Sequence, residues 1–342
     1  MPWILCVRFG ILTGVAQSLL LQARVAARAG KWPEVLNMLG TATEPLPDPD
    51  RATLVAEALL RTARPRDADE WLRRLLPHIE HDDPYEWRRG INMRGVALFE
   101  MGELDQAETV FQQVLQVGHA VNDPLLVARA TNNLGQIKNV RGQRDDALAL
   151  YQLAVPAYQQ LGHVLGLAET YHNMAISHLC LDRLTQADEC ELRAIEFARE
   201  VAAVRLAALA RIGRADVALR RGDAEIAYVT ALRVAIECHA LADPAGAADG
   251  LRVVGLACIA RGELDDAAVS LTHAWQLAER CASPRLSADA LRAYAQLAVA
   301  RGSIGGARRH ANTALDLYKR AGAIADYEAL SEWRAQLSQR AS

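Results

Sequence analysis

Aromatic residues make up only 5% of this 342-residue chain, although 51% of it is hydrophobic. That excludes a core built from large rings and suits helices stacked closely through small side chains. No apolar run approaches the roughly 20 residues that a membrane-spanning helix needs. The N-terminal run WILCVRFGIL, residues 3–12, is broken by Arg8, has no basic leader, and passes into a helical pattern without a small-residue cleavage site. A signal peptide is therefore not expected. Basic excess is also missing: the net charge is −3 and the pI is near 6.3, which gives no face for displacing phosphate counterions, so direct nucleic-acid binding is not expected. The six cysteines form no C-x-x-C pair and read as reduced thiols of a cytoplasmic protein. No G-x-x-x-x-G-K-[ST], G-x-S-x-G, H-E-x-x-H or G-x-G-x-x-G motif occurs, so phosphate cradling and the common hydrolytic chemistries have no support. No catalytic residue, metal site or cofactor is expected. The run from His78 to Asp83 (HIEHDD) reads as a solvated loop rather than a metal site, and His172 and His178, six apart, fall on different helix faces.

What the chain does contain is a repeat. Asp123 to Leu161, DPLLVARATNNLGQIKNVRGQRDDALALYQLAVPAYQQL, is one complete copy: two helices joined by a tight turn at Arg141-Gly142. Asp123 is the N-cap and Pro124 takes the first helical position, where a missing N–H costs nothing. Gly142 ends the first helix, and Asp145 and Asp146 fall in the first turn of the second, where acidic side chains favour the dipole. The turn position recurs every forty residues at Gly102, Gly142, Asp182, Gly222, Gly262 and Gly302. Five residues later comes an alanine in each copy, Ala107 to Ala307. Seven residues before the turn stands a small residue: Gly95, Gly135, Ala175, Ala215, Gly255 and Ala295. Small residues in fixed columns mark close helix approach and carry no chemistry. Pro156, inside the second helix of this copy, is the one local violation and marks either a bend in the superhelix or an exposed, tolerated kink.

These columns resemble the tetratricopeptide repeat family, with its small residue midway along helix A, glycine at the turn, and alanine early and late in helix B. The late column reads Val114, Ala154, Ala194, Val234, Ala274 and Ala314. A period of forty is similar to the long-helix variety found in kinesin light chains, asparagine-ladder peptide scaffolds and the sensor regions of MalT-like regulators. HEAT and armadillo repeats have a similar length, but their helix-breaking proline and Asp/Arg pattern is absent. The resemblance implies an all-α fold, a right-handed α-α superhelix or solenoid of about eight helical hairpins with a C-terminal capping helix. Residues 1–40 read as an N-terminal cap and first divergent repeat, 41–50 as a proline-rich linker, and 51–83 as a second divergent repeat. Six regular repeats fill 84–323, and 324–342 form the capping helix, with Tyr327, Leu330, Trp333 and Leu337 at helical spacing.

The family places function on a concave groove lined by helix A, at fixed positions before each turn. In this chain those positions gather Arg89 and Asn92; Arg129, Asn132, Asn133, Gln136 and Asn139; Glu169, His172 and Asn173; and Arg252. Asparagine amides both donate and accept, so a ladder of them can pair with an extended peptide, while Arg89 and Arg129 can hold a carboxylate. Asn133 and Asn173 are equally well explained as bonding to neighbouring helices. The expected function is a non-enzymatic scaffold that binds a peptide or protein segment in this groove. The alternative is a ligand-sensing regulatory module like the repeat region of MalT-like regulators. Homodimer formation through exposed Trp and Leu on the terminal helices is a separate expectation; no membrane partner is expected.

Overall fold

The computed structural model describes residues 17–41, 48–79, 84–281 and 283–339. The signal-peptide reading, most of the proline-rich stretch and residues 80–83 of the His78 run lie outside the described residues. All the regular structure among the described residues is helical. In order, the helices are residues 17–28 (α1), Trp32–Leu39 (α2), Pro49–Arg61 (α3), Pro65–Ile79 (α4), Pro84–Glu100 (α5), Leu104–Ala120 (α6), Pro124–Val140 (α7) and Arg144–Gln160 (α8). There follow Val164–Cys180 (α9), Leu184–Glu200 (α10), Val204–Arg220 (α11), Ala224–Ala240 (α12), Pro244–Arg261 (α13), Leu264–Arg280 (α14), Pro284–Ala300 (α15), Ile304–Arg320 (α16) and Ile324–Gln339 (α17). Odd-numbered helices from α1 to α15 are the A members of eight hairpins, even-numbered ones the B members, and α17 caps the series: an all-α solenoid. None of the described helices is long and apolar enough to cross a membrane. The chain divides between Ala120 and Val121 into two compact units.

The turns form as the spacing predicts. The Gly142 backbone takes φ +83°, and the N–H groups of Gly142 and Gln143 donate to the carbonyls of Asn139 and Lys138 at 3.0 and 2.9 Å, satisfying the orphan acceptors at the end of α7. At the start of α7 the Asp123 carboxylate accepts from the Leu126 N–H at 3.0 Å. Helix α3 begins within the proline-rich stretch because Asp48 caps it, accepting from the Arg51 N–H at 2.9 Å, and Pro49 takes the first helical position. Pro156 leaves α8 a single helix and is exposed on its outer side, so no helix break results.

In the first unit, Trp71 of α4 is buried and donates its indole N–H to the Ala52 carbonyl of α3 at 2.8 Å. In the second unit, successive hairpins share continuous apolar clusters: Tyr151, Tyr158 and Ile195 in one, Val234, Val253 and Leu271 in the next, and Leu291, Leu315 and Tyr318 in the last. Helix α17 covers that end. Leu330 and Leu337 are buried and Trp333 packs partly against the last cluster. Helix α17 also reaches back to α7, where Ala325 lies close to Gly142, so the second unit closes on itself.

Candidate functional site

Within the second unit, each A helix touches the next: α7 meets α9, α9 meets α11, α11 meets α13 and α13 meets α15, whereas B helices make no comparable contact with one another. A stack tighter along its A side curves toward that side, so the A helices line the inner face. The polar positions expected there divide into two groups.

One group is spent on holding helices together. Asn132 is only 4% exposed; its Oδ1 accepts from the Thr170 hydroxyl at 3.1 Å and from the Asn173 amide at 3.4 Å, both on α9. Asn139 is buried too, accepting from the Ser177 hydroxyl at 2.8 Å and from Arg144 at 2.7 Å. Arg252 lies between Asp249, at 2.7 Å, and Asp216 of α11, at 2.9 Å. Burial opposes its charge, but Asp216, Asp249 and Asp289 more than offset that, and the guanidinium is held firmly protonated. These three residues, read from the sequence as facing a ligand, are interior. The reason is geometric: their columns, ten and three residues before the turn, point across to a neighbouring A helix, and a buried amide or guanidinium left unmet would cost more than its bonds return. In the first unit, Arg89 is engaged likewise, with Glu86 at 2.8 Å and Glu57 at 3.5 Å, while Asn92 is half-buried on the same helix.

The other group stays at the surface of α7 and α9. Arg129 is half-buried, and its one neighbour within bonding distance is His163 at 3.4 Å. The His163 Nδ1 already accepts from the Gly166 N–H at 3.0 Å, so a neutral ring carries its proton on Nε2 and cannot accept from Arg129. Burial first and the Arg129 charge second hold His163 below its ordinary pKa, which keeps it neutral. Arg129 has no carboxylate partner among the described residues. Half-buried on the same two helices are Asn133, whose carbonyl accepts from Gln136 at 3.4 Å, and Asn173; Glu169 is half-buried nearby on α9.

His172 turns away from this set. Its Nδ1–H donates to Glu191 of α10 at 2.9 Å, with side chains 16% and 3% exposed. Burial would lower its pKa, but Glu191 reverses that and raises it; burial raises the Glu191 carboxyl as well. Glu191 fits because the neighbouring α11 carries Gly213: a Cβ there would lie 2.0 Å from the Glu191 Oε1. Sequence reasoning missed Glu191, Thr170 and Ser177. Glu191 was detectable as the one acid in a column otherwise occupied by Phe111, Tyr151, Ala231, Leu271 and Ala311. No trio of metal-ligating side chains gathers among the described residues.

The tetratricopeptide repeat family model matches residues 90–160 and 126–200. A signal transduction ATPase from Pyrococcus horikoshii with a tetratricopeptide repeat sensor superposes with a TM-score of 0.59 at 14% identity, over 94% of this chain and 48% of that one. Residues 90–200 thus carry tetratricopeptide repeats. A Rap protein complexed with competence and sporulation factor is similar to this repeat protein at TM-score 0.63 and 10% identity, covering 95% of this chain and 98% of that one. NprR in complex with its cognate peptide NprX is similar at TM-score 0.62 and 15% identity, over 85% and 84% of the two chains. Likeness at these identities is likeness of fold. No curated protein sequence matches significantly.

Proposed function

We propose that the protein is a non-enzymatic scaffold that captures an extended peptide or protein segment on the inner face of α7 and α9. The observation that carries this reading is Arg129, a half-buried guanidinium with no acidic partner among the described residues, set beside the amides of Asn133, Gln136 and Asn173. A guanidinium held partly out of water favours a carboxylate, and amides beside it suit a peptide backbone with its alternating donors and acceptors. Arg89 and Arg252, already paired with acids, are not assigned to the ligand, and Asn132 and Asn139 act by positioning α7 against α9. The NprR structure supports the reading, since it is a fold of this kind in complex with its cognate peptide, and the Rap structure is a fold of this kind in complex with competence and sporulation factor. A sensing role, in which ligand changes the curvature of the stack, has the support of the likeness to a repeat sensor and of the contact closing α17 onto α7.

The test is selection from a displayed random-peptide library with the full chain, followed by fluorescence polarisation of the recovered peptides. Recovered sequences should carry an acidic side chain or depend on a free C-terminus, and R129Q should weaken them at least about tenfold, the loss typical of one charge-assisted contact. Peptides that bind R129Q and N173A as tightly as the unaltered protein would refute the site.

A further inference from the structure

The outer face of the second unit carries a groove that the inner-face reading leaves unused. It opens between α10 and α12 above α11 and encloses about 280 Å³. Four arginines line it: Arg199 of α10, Arg211 and Arg214 of α11, and Arg233 of α12. Leu192 and Val229, 46% and 47% exposed, form its apolar walls.

The preceding repeat shows how unusual this composition is. In the equivalent groove between α8 and α10, Tyr171 and Met174 of α9 make the floor, and Arg193 is tied down there: it donates to the Tyr171 hydroxyl at 2.9 Å and lies over the ring at 5.2 Å. Forty residues on, Arg211 and Arg214 replace the tyrosine and methionine, and Arg233 stands where Arg193 stood. The tether has become a like charge. Glu237 neutralises Arg211, while Asp188 is shared between Arg214 at 2.7 Å and Arg221 at 3.5 Å. The side chains of Arg199 and Arg233 have no hydrogen bond or ion pair among the described residues. Four guanidinium groups thus meet two carboxylates, one of them divided with a residue outside the groove.

Guanidinium forks match carboxylates in geometry and lose little on leaving water, which makes them suited to interfaces. The apolar walls decide between a bare anion and a polypeptide. An inorganic anion would leave Leu192 and Val229 in water, together with Ile226 and Ile236, which share a face of α12 with Val229 and Arg233 and are 60% and 62% exposed. We infer that this groove docks an acidic segment of a protein partner, its carboxylates on Arg199 and Arg233 and its leucine-like side chains against Leu192 and Val229.

The test uses a fluorescein-labelled synthetic peptide of Leu-Glu-Glu repeats, its Leu-Gln-Gln counterpart, inorganic phosphate and a single-stranded oligonucleotide. Each is titrated against the full chain, R199Q/R233Q and R129Q, with unchanged thermal unfolding as the control for folding. The acidic peptide should bind the unaltered protein at least about tenfold more tightly than the glutamine peptide, weaken with salt, lose about tenfold or more in R199Q/R233Q, and keep its affinity in R129Q. The inference is overturned if the acidic peptide fails to bind, if R199Q/R233Q binds it equally, if R129Q abolishes binding instead, or if only phosphate or the oligonucleotide depends on Arg199 and Arg233.

Discussion

At Gly135 a hydrogen in place of a methyl is what admits the Tyr151 ring, whose Cε1 would lie 2.5 Å from an added Cβ. The small column of the repeat is thus matched to its partner on the B helix. Glycine faces the bulky Phe111, Tyr151 and Leu271, while alanine at Ala215 and Ala295 accompanies Ala231 and Ala311. Overpacking typically costs 1–3 kcal/mol and alanine returns about 0.5–1 kcal/mol of helix propensity, so Gly135→Ala should destabilise by roughly 1–2 kcal/mol in urea unfolding. At the buried His172–Glu191 pair, the histidine is raised above 6.5 and the carboxyl above 4.5. Both shifts mean that the folded state binds more protons than the unfolded one, so both contributions fade as pH rises. The carboxyl's share fades above pH 4.5. That of His172 is intact below 6.5 and is lost as pH climbs through its raised folded value. His163, His178 and His310, held below their ordinary value, act at lower pH. A melting temperature that declines above pH 6.5 in the unaltered protein and flattens in H172Q/E191Q is the expected result; identical slopes would remove the pair from the account.

The helical elements are joined by two rows of left-handed residues, and only one was legible. Turns within the eight hairpins fall on glycine six times, with Ala63 and Asp182, both at φ +56°, as the exceptions, and from Gly102 to Gly302 their forty-residue spacing declares them. Turns between hairpins fall on Asn122, Gly162, Ala202, Ala242 and Gly322, and alanine gives no sign of a positive φ. At Ala202 and Ala242, both at φ +52°, the left-handed backbone costs about 1–2 kcal/mol, partly offset by the greater freedom glycine would have when unfolded. Ala202→Gly and Ala242→Gly should each stabilise by about 0.5–1 kcal/mol, read as a higher urea midpoint with an unchanged slope. Pro156 lacks the N–H that would meet the Gln152 carbonyl; Pro156→Ala should also stabilise, by up to about 3 kcal/mol. For the site, residue type was readable and direction was not. The amides of Asn132 and Asn133 are adjacent in sequence, yet one is buried against α9 and the other half-exposed, because successive helical residues diverge by about 100° and only the neighbouring helix decides which side is inside.

Across the whole molecule, function follows from what the repeats do with their charges. In the later hairpins of the second unit the inner face is closed by its own ion pairs, Asp216 and Asp249 on Arg252 and Asp326 on Arg285 and Arg292. Arg129 is left as the guanidinium without an acid on α7, and Arg199 and Arg233 hold that position on the outer face. The capping helix keeps the stack finite: removing residues 324–342 would bare the face that Leu330 and Leu337 cover, and burying each leucine is worth roughly 1.5–3 kcal/mol. The truncated chain should therefore unfold at markedly lower temperature, followed by circular dichroism. The most direct measurement of the central claim is the affinity of a library-selected peptide for the full chain beside R129Q, at matched thermal stability. A loss of about tenfold or more is predicted; equal affinity in the two proteins would contradict a peptide site on the inner face of α7 and α9.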